Sequence, residues 1–346
     1  MAVGQRTAPE SGLARLTRRR VLGLVVCSVL VLIVIGASLG LGAREVSFSG
    51  VLSALFGAAD TTDQLVIREL RVPRTVLGVL VGAALGVAGA LMQGITRNPL
   101  ADPGLLGVSA GAALAVVVGI TFFGLSSVTD YVWLAFIGAA LVSVLVYALG
   151  SVGRGGATPV RLTLAGAALA SLLASFTSAL ILLNQQTLNE FRFWVVGSLA
   201  GRSLEVLAQV TPFILVGLIL SLFLAAPLNA MALGEDAARS LGARIGLTRG
   251  GTALAITLLC GAATAACGPI GFVGLVIPHL ARRFCGPDQR WLMPYSALLG
   301  AVVLLGCDIL SRIVARPGEI QVGITTAAVG GVAFVILVRQ TRLAQL

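Results

Sequence analysis

Lysine is absent from this chain, and all 24 of its basic residues are arginines. A phosphate-binding loop of the G-x-x-x-x-G-K-[ST] type needs its lysine to reach the terminal phosphates, so an ATP site of that kind is excluded. Histidine occurs once, at His279. That rules out a site built on several histidines, and without paired acids an intramembrane enzyme lacks a catalytic constellation. The five cysteines, Cys27, Cys260, Cys267, Cys285 and Cys307, lie in or beside apolar runs with no C-x-x-C spacing. They read as small packing residues rather than metal or redox groups. Charged residues make up only 11% of the chain, against roughly 25% in a soluble domain, which excludes a water-soluble fold. The formal charge of +10 is spread between apolar runs instead of forming one stripe, so no nucleic-acid surface is implied.

What is present is apolar: 57% hydrophobic residues and a mean hydropathy of +1.00. A spanning helix needs roughly 20 apolar residues. Runs free of Asp, Glu and Arg cover 21–43, 75–96, 103–129, 131–153, 162–189, 206–234, 291–307 (continuing past Asp308 to Ser311) and 320–338. Each holds one span. The run 250–281 would make a helix of about 48 Å, too long for a core of roughly 30 Å. It divides at Gly268-Pro269, because proline lacks an N–H and disfavours helix in the residue before it. The fold class is thus an all-α polytopic membrane protein of about ten transmembrane helices.

With the N-terminus inside, Arg6, Arg15, Arg18, Arg19, Arg20, Arg97, Arg154, Arg161, Arg239, Arg244, Arg249, Arg282, Arg283, Arg290, Arg339 and Arg342 fall in the cytoplasm. The positive-inside rule prefers this arrangement, with both termini cytoplasmic. Thr17-Arg18-Arg19-Arg20 before an apolar stretch also fits a signal cleaved near 37–43, but the later spans favour a retained helix. Residues 1–16 are expected as a disordered cytoplasmic tail and 17–346 as one transmembrane domain. Among the 43 glycines, Gly78, Gly82 and Gly86 share a helix face, as do Gly107 and Gly111, and as does Gly166 with Ala170 and Ala174. Such faces mark close helix contact. The stretch 193–201, flanked by Glu190, Arg192, Arg202 and Glu205, reads as a partly inserted external element.

Several strings carry a resemblance. Arg71-Val72-Pro73-Arg74-Thr75, followed by Gly82 to Leu85 and Gln93, precedes Arg97-Asn98-Pro99-Leu100-Ala101-Asp102-Pro103-Gly104-Leu105-Leu106-Gly107. Further on come Leu233-Gly234-Glu235-Asp236-Ala237-Ala238-Arg239-Ser240-Leu241-Gly242, then Gly271-Phe272-Val273-Gly274-Leu275-Val276-Ile277-Pro278-His279, then the Asp308 to Arg312 region. Over about residues 20–340 the chain resembles the FecCD or BtuC-like permeases of bacterial siderophore, haem and vitamin B12 ABC importers. The resemblance implies a BtuC-like, dimeric permease in the bacterial inner membrane. Its implied partners are a second permease subunit, identical or related, two cytoplasmic ATPase subunits that carry ATP and Mg, an extracytoplasmic binding protein, and membrane lipid. No cofactor is implied on this chain. Phe191 to Ser203 looks more like the iron-siderophore branch, with haem and vitamin B12 as alternatives.

On that resemblance, 233–243 is the ATPase-coupling segment, carried by Leu233, Gly234, Glu235, Asp236, Ala237, Ala238, Arg239, Leu241 and Gly242. Glu235 and Asp236 start it and Arg239 lies toward its end, the polarity a helix dipole favours. Ala237, Ala238 and Leu241 are expected to seat in the partner. The alternative is a solvated amphipathic loop. Arg71, Arg74 and Arg312 are expected to dock the binding protein, or else to snorkel to headgroups or pair with Glu69, Asp308 and Glu319. The weaker docking candidates are Arg68 and Arg316. Asp308, an acid within a membrane helix, is expected to pair with Arg312 four residues on. Pro99, Pro103 and Gly104 read as a tight cytoplasmic turn, and His279 as a structural residue at the inner edge. Pathway lining is expected from 164–183, 193–201 and 320–338. The rival from another class is an ion-coupled secondary transporter, which would place acids or broken helices at mid-membrane.

Overall fold

The computed structural model describes residues 12–42, 48–57, 61–152 and 158–343. In chain order the helices are α1 (Gly12–Gly40), α2 (Phe48–Phe56), α3 (Thr62–Leu65), α4 (Val72–Thr96), α5 (Val108–Phe123), α6 (Val128–Ser151) and α7 (Pro159–Leu183). They continue as α8 (Gln185–Val195), α9 (Leu204–Ala232), α10 (Glu235–Ser240), α11 (Ile245–Cys267), α12 (Val273–Cys285), α13 (Gln289–Val314) and α14 (Val322–Leu343). Among the described residues the ten helices that correspond to the expected spans are α1, α4 to α7, α9 and α11 to α14. Seven of these are long and apolar enough to cross a bilayer by length and composition alone. Of the other three, α5 and α14 are shorter apolar helices, and α12 has 13 residues with Arg282 and Arg283 in its last turn.

Helix α4 is the axis of the bundle. Its most apolar window is 83% buried within the chain, against 17% for α1 and 11% for α7. Small residues make this possible, because helices in lipid gain by close backbone approach rather than by leaving water. A Cβ added at Gly82, Gly86 or Gly89 would strike the backbone of Gly300, Ser296 or Gly274, so one glycine face of α4 lies directly on α13 and α12.

The long run 250–281 divides at 268–272, as Gly268-Pro269 foretells, into α11 and α12. The run 162–189 is not one helix. Helix α7 stops at Leu183, and the Asn184 carboxamide oxygen accepts from the N–H groups of Gln186 and Thr187, capping α8. Asparagine is a strong helix starter but carries no charge, so a search for charge-free runs passes over it. The element expected at 193–201 therefore begins eight residues earlier, at Gln185. Beyond α8 the chain turns through Gly197 and docks: Ser198 N–H donates to Cys267 O at 2.7 Å, and Gly323 N–H donates to Gly197 O at 3.1 Å. Helix α4 also has a longer approach than expected, because the π-helical stretch Val66–Arg71 leads into it without a gap. Pro73, which has no N–H, sits at the start of α4, where the missing donor is tolerated.

Residues 1–11 of the expected tail lie outside the described residues, as does Arg154, while Gly12 to Leu16 are already helical. Replacing Gly89 by Leu should lower the stability of the detergent-solubilised protein by about 1–3 kcal/mol or more, the cost of overpacking. Gly36→Leu, at a position with nothing within 4 Å of a new Cβ, should change thermal unfolding little.

Candidate functional site

At the end of the bundle where α1 stops and α4 starts, Asp308 of α13 is wholly buried. Its carboxylate accepts from Arg74 Nη2 at 2.8 Å and pairs with Arg312 Nη2 at 3.0 Å. Arg74 Nη1 also reaches Glu319 Oε2 at 2.7 Å. Spacing pointed to Arg312, but Arg74 arrives from α4 and only the fold brings it here. Arg312 Nη1 donates to the Ser38 and Leu41 carbonyls at 3.0 and 2.9 Å, and Arg71 Nη1 donates to the Leu39 and Gly40 carbonyls at 2.7 and 2.9 Å. These are orphan carbonyls at the C-terminal end of α1, where the helix dipole favours cations. Arg71 and Arg312 are 7% and 2% exposed, so both lie inside the protein instead of projecting from it. What faces outward is a cavity of about 400 Å³ lined by Arg71, Arg74, Arg312, Glu319, Leu70 and Gly201 among others. Around it stand three guanidinium groups against the carboxylates of Asp308 and Glu319.

Half-way down the bundle, two interruptions meet. The segment 97–107 does not form a simple cytoplasmic turn. After Arg97 it folds back, and the 3-10 turn Pro103–Leu106 lies among membrane helices, with Pro103 against Gly274 of α12 and the Leu105 carbonyl against Gly166 of α7. Two prolines stop a helix wherever it runs; spacing does not say at what depth the chain turns. At 1.5 Å per residue α5 and α12 reach only about 24 and 20 Å, because each starts inside the bundle. Phe272, at φ +67, caps α12 in a conformation uncommon for a bulky residue. The Gln93 side chain closes the junction from α4, donating to the Leu275 carbonyl at 3.1 Å and accepting from Arg282 at 2.5 Å.

Between the interruptions lies a cavity of about 100 Å³ lined by Asp102, Ser109, Cys260, Thr264, Pro269, Ile270 and Gly271 among others. Asp102 Oδ1 accepts from Gly104 N–H at 2.8 Å.

At the opposite end of the bundle α9 ends at Ala232 and Gly234, at φ +117, redirects the chain into α10. Glu235 and Asp236 open the helix; Arg239 reaches Asp236 Oδ1 at 2.8 Å and Glu235 Oε2 at 3.2 Å. Ala238 turns inward, fully buried against Met231 and Ile245, so it is not part of any outward face. Adjacent helical residues point in different directions, so Ala238 does not share the face of Ala237. The exposed apolar surface is instead Leu233, Leu241 and Leu247, at 70%, 66% and 66% exposure. Arg249, read from the sequence only as a topology signal, pairs with Glu235 at 2.5 Å. His279 lies with Arg283 along a groove between α12 and α14. Among the described residues no three His, Cys, Asp or Glu side chains cluster as a metal site would require.

The chain matches the FecCD transport family over residues 29–340. It is 44% identical to the ferric enterobactin transport system permease protein FepD of Escherichia coli, covering 95% of this chain and 98% of that one. It is 38% identical to the Fe(3+)-citrate import system permease protein YfmD of Bacillus subtilis, over 95% and 97% of the two chains. A solved structure, provisionally described as an inward-facing metal-chelate type ABC transporter, superposes with a TM-score of 0.80 at 30% identity, covering 92% of this chain and 98% of that one.

Asp308→Asn leaves Arg312 buried without its carboxylate partner and Arg74 with Glu319 alone, and should cost about 3–5 kcal/mol in denaturant unfolding of the purified protein.

Proposed function

The chain belongs to the FecCD transport family, and from that premise we propose that it is the permease subunit of an ABC importer that moves a ferric siderophore-type chelate into the cytoplasm. The observation that carries this reading is the end-to-end correspondence with ferric-chelate permeases such as FepD. The work of transport comes from two partner ATPase subunits holding ATP and Mg, since the sequence has no lysine for a phosphate loop. Leu233, Leu241 and Leu247 on the cytoplasmic protrusion are the apolar surface those subunits would grip, with Ala237 beside them. A second permease subunit completes the pathway, along which the weakly covered α7 fits as a lining helix. Both termini lie in the cytoplasm of the bacterial inner membrane. A cysteine placed at 286 should then resist a membrane-impermeant reagent in intact cells and one at 318 should react.

The external cavity supports docking of a binding protein. Because Arg71 and Arg312 are engaged with α1, an acidic side chain of the binding protein would enter the cavity and compete with Glu319 for Arg74. Glu319→Gln spares the contacts of Arg71 and Arg312. It should raise the association rate of the binding protein with the permease in nanodiscs at low salt, an effect that fades at high salt. An unchanged rate at both salt concentrations would remove the docking role.

One observation favours an ion-coupled secondary transporter: Asp102 sits where two interrupted segments meet, as carriers of that class arrange their ion sites. Uptake in proteoliposomes separates the two. The importer reading expects ferric-siderophore uptake only with ATPase subunits, ATP and binding protein together. Gradient-driven uptake by the chain alone, abolished in Asp102→Asn, would establish the secondary transporter instead.

A further inference from the structure

Arg249 is 8% exposed although it lies at the cytoplasmic end of the bundle. Arginines there ordinarily keep their charge in water. Its Nη2 donates to Glu235 Oε1 at 2.5 Å, while Glu235 Oε2 accepts from Arg239 at 3.2 Å. Glu235 is therefore held from one side by its own helix and from the other by α11.

The helix it opens cannot hold itself. Helix α10 has six residues, far below the length at which an isolated helix is stable in water. It is bounded by Gly234 at φ +117 and Gly242 at φ +83, backbone states that side chains disfavour and that let the chain turn sharply. Three ties fix α10 to the rest: the Ala238 methyl between Met231 and Ile245, the Ala243 N–H bond to the Ala238 carbonyl at 2.9 Å, and the Arg249–Glu235 pair. A single methyl offers a pivot rather than a clamp. The ion pair sits off that pivot and resists rotation about it, since pulling it apart strands a buried guanidinium.

Helix α11 runs from this pair to Cys267, whose carbonyl accepts from Ser198 N–H at 2.7 Å beside the break at 268–272. Its 23 residues make a rod of about 35 Å between the protrusion and the mid-bundle junction.

We infer that Arg249 is a positioning residue for coupling: its ion pair with Glu235 locks α10 to α11, so that a push on the protrusion moves α11 as a rod and reaches the junction at 268–272. This rests on the importer reading given above. It assigns the transmission to one named pair, where the apolar surface only provides the grip.

The test has one arm that needs no partner and one that does. In the solubilised permease, Arg249→Gln should speed amide hydrogen exchange across 235–243 severalfold while leaving α4 and α13 protected. In the complex with its ATPase subunits and loaded binding protein, the same variant should lower the substrate moved per ATP hydrolysed by about two- to thirty-fold, the range of a coupling change. The exchanged pair Glu235→Arg/Arg249→Glu should recover at least half of that loss. A purely structural role for Arg249 would lower transport and hydrolysis together and leave their ratio unchanged. Wild-type exchange at 235–243 in Arg249→Gln, an unchanged ratio, or no recovery in the exchanged pair overturns the inference. Absence of ATP-dependent uptake in the wild-type complex would overturn the importer reading itself, and the coupling role with it.

Discussion

The close approach of α4 to α12 and α13 is the constraint on which the rest of this structure depends. Backbone groups inside a bilayer must find partners within the protein, and among the described residues the helices are interrupted inside the bundle at 97–107 and at 268–272. Such breaks are tolerated only where protein surrounds them. The glycine face of α4 supplies that surrounding, bringing Gly274 against Gly89 and leaving Pro103 and Gly274 in contact. Gln93, from the same helix, ties the start of α12 through the Leu275 carbonyl.

Charge is arranged around the same axis. Arg74, in the first turn of α4, meets Asp308 of α13, and Arg71 and Arg312 spend their charge on the carbonyls that end α1. An acid and two guanidinium groups buried together would be a poor source of stability, since desolvation offsets most of their attraction. What the cluster does is fix where α1, α4 and α13 end relative to one another, and so shape the external cavity. At the other end Arg249 and Glu235 play the corresponding part for the protrusion.

Much of this was legible in the residues. The absence of lysine, the charge-free runs and Gly268-Pro269 are local signals with direct physical meaning, and they led to ten helices and to the break between α11 and α12. The i,i+4 spacing of Asp308 and Arg312 likewise announced their pairing. Depth and direction were not legible. Pro99 and Pro103 show that the chain turns without showing that it turns back among membrane helices. Pairing of Arg74 with Asp308 and Glu319 stood only as the alternative to docking, and nothing near Glu235 points to Arg249, because both pairs are set by how helices pack. Ala238 turns inward because of the phase of a six-residue helix, which its small and charged neighbours leave open.

The central claim, that the two interrupted segments meet in the middle of the bundle on the glycine face of α4, is tested most directly by cross-linking. Cysteines replacing Pro103 and Gly274, in a chain whose five native cysteines are changed to alanine, should be joined in the membrane by a short bifunctional thiol reagent or by oxidation. A cysteine at 103 that fails to cross-link, and that reacts with a soluble thiol reagent from the cytoplasmic face as fast as one at 98, would mean that the segment is a surface loop and would contradict the account.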